Sequence, residues 1–206
     1  MVSTVRGDID TGGDPAVTAA PAFETATWEE LVEIWQNLDL PNAAWRAEII
    51  EGRVVMTPPP ENAHNLIADV VHGELRDSIS KEWAIFQTSG IKIPERKSLC
   101  TPDLVVIPRS DVPAGKSSIL ADKALLVVEI TSRGNADDDR TRKLWGYGHA
   151  GIPLYLLIDR FASDGPTVTL FSQPTGGRYL HQHRVVFGEP VELPEPFGIT
   201  LDTSQF

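Results

Sequence analysis

Two stretches of this chain, LLVVEI (Leu125–Ile130) and LYLLI (Leu154–Ile158), are apolar at nearly every position. A strand with one face in water alternates apolar and polar residues, so runs of this kind belong to strands covered on both faces. The chain must therefore build layers on either side of a sheet. The single charge in the first run, Glu129, then becomes a problem. A buried carboxylate without a partner is costly, so Glu129 needs one.

The remaining pattern supplies the layers. Thr27-Trp28-Glu29-Glu30 has the Ser/Thr-x-x-Glu form of a helix-capping box, and Leu31, Ile34, Trp35 and Leu38 follow at helical spacing until Pro41. In WRAEIIEGRVVMTPPP, two short β-type runs flank Glu51-Gly52 and predict a hairpin ended by the prolines. From Glu61 to about Lys81 the pattern is helical, with Ile67, Val70, Val71, Leu75 and Ile79 on one face. Strand-like runs follow in WAIFQTSGIKIP, DLVVIP and ALLVVEI. The polar span from Asn135 to Ala150 predicts a helix ended by Gly151 and Pro153. Further strands are expected in PLYLLID, TVTLF and RYLHQHRVVF, and VELPEPFGITLD reads as an irregular return with a final short strand. The expected class is α/β (or α+β), a mixed sheet flanked by helices. It forms one domain over residues 23–206, after a disordered tail of residues 1–22 rich in Gly, Ala, Thr, Asp and Pro.

Composition bounds the function. One cysteine, Cys100, cannot form an intramolecular disulfide, and the N-terminus has no apolar signal core, so a reducing cytoplasmic setting is expected. No apolar run approaches the roughly 18 residues of a membrane helix, so no membrane partner is expected. The net charge of −11 argues against a broad basic face that coats duplex DNA. It leaves room for a small cleft with a few basic residues, or for carboxylates gathered around cations.

Three features meet in the middle of the chain. Thr101-Pro102-Asp103 precedes the apolar run Leu104–Ile107; Glu129 ends another; and Asp139-Arg140-Thr141-Arg142-Lys143 falls on the following helix, with Tyr147 four residues past Lys143. Residues four apart share a helix face, so Lys143 and Tyr147 can point into the same space. If the two strands are neighbours, Asp103 and Glu129 present their carboxylates on one face. Such a pair repels unless one is protonated or a cation sits between them. Hard divalent cations such as Mg²⁺ use one or two carboxylates plus water and substrate phosphate. A lysine nearby can orient or deprotonate an attacking water whose pKa the metal lowers, which suits phosphodiester hydrolysis. Taken singly, Asp103 can be a turn acceptor and Lys143 part of a solvated face. His181 and His183 have an H-x-H spacing that zinc sites use, without further ligands, and Cys100 has no base marked for it.

Pro102-Asp103 followed by Glu129 after a β-run resembles the PD-(D/E)xK nuclease signature. The wider pattern resembles the Uma2 family (DUF820), bacterial proteins described as endonucleases. It runs through Glu48-Ile-Ile-Glu-Gly52, Pro58-Pro59-Pro60 with His64, and Pro102-Asp103. It continues through Val127–Ser132, Asp139-Arg140 with Lys143 and Tyr147, and Ala150–Tyr155 into Ile158-Asp159. The resemblance implies a restriction-endonuclease-like fold with Asp103 and Glu129 as metal ligands. It implies a Mg²⁺- (or Mn²⁺-) dependent endonuclease acting on DNA. The usual lysine two residues after the Glu is replaced by Thr131; Lys143 matches the family's displaced lysine and would position the nucleophilic water. Glu48 matches an acidic position and would assist as a third carboxylate. His64, Tyr147 and Asp159 match family positions that capping, packing or strand termination explain equally well. Fold-level analogy adds a homodimer. Two other readings stand beside this one: a non-catalytic binding or regulatory module on the same fold, and a hydrolase of another phosphorylated substrate.

Overall fold

A computed structural model of the chain describes Thr18–Ala19 and residues 26–206. The tail expected over residues 1–22 lies outside the described residues except for Thr18–Ala19 (β1), which pairs with Val55 and Met56. The first helix, α1 (Trp28–Gln36), starts where the capping box predicts. The Thr27 amide donates to Glu30 Oε2 at 2.8 Å, and the Glu30 amide donates to Thr27 Oγ1 at 3.2 Å. The hairpin of β2 (Arg46–Ile50) and β3 (Arg53–Thr57) turns at Glu51 and Gly52, with φ of 48° and 77°. Two successive left-handed residues make the tight turn whose twist matches paired strands. The second helix, α2 (Asn62–Ser78), buries Ile67, Val71 and Leu75.

The strand-like run WAIFQTSGIKIP divides into β4 (Trp83–Phe86) and β5 (Gly90–Ile93), and these go to different sheets. After them come β6 (Ser98–Cys100), β7 (Leu104–Pro108), β8 (Ser118–Leu120) and β9 (Leu126–Ile130). A continuous helix, α3, follows: an α-turn at Ala136–Asp138, a π-turn at Asp139–Lys143 and an α-segment at Leu144–His149. The chain ends with β10 (Leu154–Asp159), β11 (Thr167–Thr175), β12 (Arg178–Val186) and a small hairpin of β13 (Val191–Leu193) and β14 (Ile199–Leu201).

The central mixed sheet has the order β12-β11-β10-β9-β7-β4, with β9 and β10 parallel and the other pairs antiparallel. Both apolar runs, β9 and β10, lie in its middle, which is why both of their faces are covered. One face packs on α2 through Leu104, Val106, Leu126 and Val128, joined by the C-terminal residues Val191, Leu193 and Phe197. The other face, through Val105, Ile107, Val127 and Tyr155, meets α3 and a second sheet of order β1-β3-β2-β6-β5-β8. Periodicity predicts the β2–β3 hairpin and the run that gives β5, but not their joining through β6 and β8, which are only three residues each.

Leu75 is fully buried between α2 and the central sheet, whereas Leu66 on the same helix is 65% exposed. Leu75→Ala is expected to cost about 2–5 kcal/mol in urea unfolding, and Leu66→Ala to stay within about 0.5 kcal/mol. Equal losses from the two would contradict this layering.

Candidate active site

The chain passes from the second sheet to the central one between β6 and β7, at Thr101-Pro102-Asp103, and the site forms at this crossing. The β7–β9 ladder is antiparallel and places Leu104 opposite Val128, so Asp103 and Glu129 come next to each other one step further on. Asp103 is fixed by the amide of Ile130, which donates to its Oδ2 at 2.8 Å, and by His64 Nε2, 3.1 Å from the same oxygen. Glu48, on β2, shares a strand face with the core residue Ile50 and so points toward the central sheet. Its Oε1 accepts the Thr101 amide at 2.6 Å.

Glu129 is 2% exposed, and its partners resolve the question its sequence position poses. Tyr147 donates its hydroxyl to Glu129 Oε1 at 2.6 Å, and Lys143 Nζ lies 3.2 Å from that oxygen. The same ammonium is 3.2 Å from Glu48 Oε1 and 3.1 Å from Asp139 Oδ1. Asp139, Lys143 and Tyr147 thus run down one face of α3 at four-residue spacing. Burial pushes the Glu129 carboxyl well above the usual range, against the pull of Lys143. Burial likewise carries Asp139 to about 7. Burial disfavours the Lys143 ammonium, but Asp139, Glu129 and Glu48 together outweigh it and hold the group charged. Three carboxylates against one ammonium leave surplus negative charge among buried side chains, which a proton or an added cation offsets.

The donor set suits a hard cation that keeps much of its water. Among the described residues neither Asp103 Oδ1 nor Glu129 Oε2 accepts a hydrogen bond, and Arg46 lies 4.0 Å from the former. Asp103, Glu129 and Glu48 line one cavity, walled by Pro58, Pro59 and Pro60. No three His, Cys, Asp or Glu side chains among the described residues converge into a protein-only metal cage. Two carboxylates plus water is the coordination that Mg²⁺ accepts.

Thr131, in the usual lysine position, is fully buried and committed elsewhere. Its hydroxyl donates to Asp159 Oδ1 at 3.2 Å and accepts the Arg160 amide at 3.0 Å. Asp159 is also gripped by Arg140 through two hydrogen bonds of 2.8 and 2.9 Å. Burial raises the Asp159 carboxyl, but Arg140 and the Phe161 amide outweigh it and hold the group below its usual range. Cys100 is buried and free, with burial first and Glu48 second pushing its thiol up. His181 and His183 are exposed on β12, away from these contacts. The residues that chemistry-by-motif undervalued are His64, Tyr147 and Asp139. For the last two, the four-residue spacing around Lys143 is the signal.

The mixed sheet, the helices that cover it and the carboxylates at paired strand ends make this a restriction-endonuclease-like α/β fold. The chain belongs to the Uma2 family, whose model, described as "Putative restriction endonuclease", matches residues 28–204. Among solved structures it is similar to the crystal structure of "a putative nuclease belonging to DUF820" from Anabaena variabilis ATCC 29413. The TM-score is 0.68 at 18% identity, over 87% of this chain and 96% of that one, a likeness of fold. No curated protein matches the chain.

Two outcomes test this local wiring. Thr131→Lys, which restores the usual spacing, is expected to destabilise the fold by about 1–3 kcal/mol in urea unfolding, because it overpacks a closed site beside Arg140. Wild-type stability would contradict it. Since Asp159 is held below its ordinary range, its contribution is present above that range and lost as pH falls through the folded-state value. Arg140→Ala should therefore lower stability near neutrality and flatten its acid limb, read from urea midpoints across pH.

Proposed function

We propose that this protein is a divalent-cation-dependent nuclease that hydrolyses phosphodiester bonds in DNA. The observation that carries the reading is the pairing of Asp103 and Glu129 at adjacent strand ends, with Lys143 on Glu129. Mg²⁺, or Mn²⁺, held by Asp103 and Glu129 would supply Lewis-acid charge and a more acidic bound water. The protein's own residues do the positioning. Ile130 N–H and His64 hold Asp103 by one oxygen, and Tyr147 and Lys143 hold Glu129 by one oxygen, leaving the second oxygen of each for a cation. Lys143 contacts three carboxylates, so it would orient a water by releasing one of them as a cation takes up that carboxylate's charge, while Glu48 holds the ammonium from across the cleft. The proline wall offers no N–H of its own to compete for substrate oxygens. Fold-level analogy extends the reading to a homodimer, two sites for two strands.

One observation favours a second reading, a non-catalytic cation-binding or regulatory module. Lys143 is only 2% exposed, with every contact already taken.

Nicking of supercoiled plasmid separates the two. The nuclease reading expects cleavage that requires Mg²⁺ or Mn²⁺ and falls by at least about 100-fold in Glu129→Ala and in Lys143→Met. Absence of wild-type cleavage, together with calorimetric Mg²⁺ binding that depends on Asp103, would establish the second reading instead.

A further inference from the structure

Arg46 stands two residues before Glu48 on β2, so the two side chains leave the same face of the strand. Its guanidinium is 4.0 Å from Asp103 Oδ1, and among the described residues it makes no side-chain hydrogen bond and no other ion pair. The side chain is 35% exposed. The other cationic or basic side chains lining the carboxylate cavity are committed: Lys143 to three carboxylates and His64 to Asp103. Arg46 alone among them keeps its fork of N–H donors unused.

Its position gives that fork a use. A second cavity, extending toward Asn65 and Gln87, shares Arg46, Pro60, His64 and Asp103 with the first. The two therefore form one groove, with the carboxylates in one arm and Arg46 at the junction. A planar guanidinium at such a point matches the paired oxygens of a phosphate. Asp69, further along the second arm, has the opposite charge, so the attraction for an anion is concentrated at the junction.

We propose that Arg46 is a phosphate-binding residue, holding a backbone phosphate of a nucleic-acid strand on the Asn65–Gln87 side of Asp103 and Glu129. This rests on the nuclease reading for the kind of strand and adds to it where the strand is gripped. It also accounts for how a chain of net charge −11 can hold a polyanion: the contact is local and made by a few groups.

The test is fluorescence anisotropy of the full chain with a labelled DNA duplex, in Ca²⁺, over a series of salt concentrations. Arg46→Ala should raise Kd by about tenfold and reduce the slope of log K against log salt by about one. Arg46→Lys should restore the slope but only part of the affinity, because an ammonium lacks the fork. Lys81→Ala, which removes an exposed charge near the far end of β7, should leave both unchanged. Wild-type Kd and slope in Arg46→Ala, or an equal loss in Lys81→Ala, overturns the proposal, as does wild-type protein that binds no DNA. Plasmid nicking keeps the two readings apart. Arg46-dependent binding without nicking sinks the nuclease and leaves the phosphate site, whereas nicking with Arg46-independent binding does the reverse.

Discussion

A single ammonium holds the two sheets and the helix together at their charged edge. Lys143 is buried, yet it touches Glu48 from the second sheet, Glu129 from the central sheet and Asp139 from its own helix. Each of those carboxylates is also buried, at 4%, 2% and 0% exposure. Without the lysine, three buried carboxyl groups would face one another with no cation among them, and stripping one partner from a buried ion pair is far more damaging than never having built it. An apolar plug would satisfy stability better. Carboxylates clustered at such cost are the pattern expected of a functional site, and the nuclease proposal rests on them.

The geometry that makes this cluster possible is the crossing between sheets. Thr101-Pro102-Asp103 leaves β6 and enters β7, so one tripeptide touches both layers: the Thr101 amide binds Glu48, and Asp103 lies beside Glu129. The opposing wall comes from the proline run after β3, and α3 closes the floor with Lys143 and Tyr147. The π-turn at Asp139–Lys143 falls where the helix must present Asp139 and Lys143 inward and Arg140 toward Asp159. Widened turns of this type recur at functional sites because they re-aim side chains without breaking the helix.

Much of this was legible in the residues, for reasons that differ by element. The capping box at Thr27, the Glu51-Gly52 turn and the two all-apolar strands are local signals, and the structure carries them unchanged. The neighbouring of β7 and β9, on which the meeting of Asp103 and Glu129 depends, is not legible in the residues, because strand order is not a local property. The β2–β3 hairpin is legible, but its assembly with β6 and β8 into a second sheet is not, since three-residue strands have too little period to register. The site residues found by type were the charged ones; those that act by hydrogen bonding from a packed position, His64 and Tyr147, look like core or capping residues in one dimension. Only the approach of His64 Nε2 to Asp103 and of the Tyr147 hydroxyl to Glu129 separates them from ordinary packing.

Thr131 shows why a motif departure need not mean a lost function. In the usual signature the lysine leaves the strand two residues after the acid. Here that position is sealed by Asp159, Arg140 and the Arg160 amide, a network that anchors the start of α3 to the end of β10. A lysine there would compete with Arg140 for Asp159, so strand and helix could not both keep their contacts. Placing the ammonium on α3 removes the conflict, because a helical residue can reach Glu129 from the side while Thr131 remains a structural tie. The cost is a lysine already held by three carboxylates. Any chemistry at this site therefore requires the carboxylates to shift their charge toward something else in the cleft. A divalent cation between Asp103 and Glu129 would do that by taking up the charge the ammonium now shares.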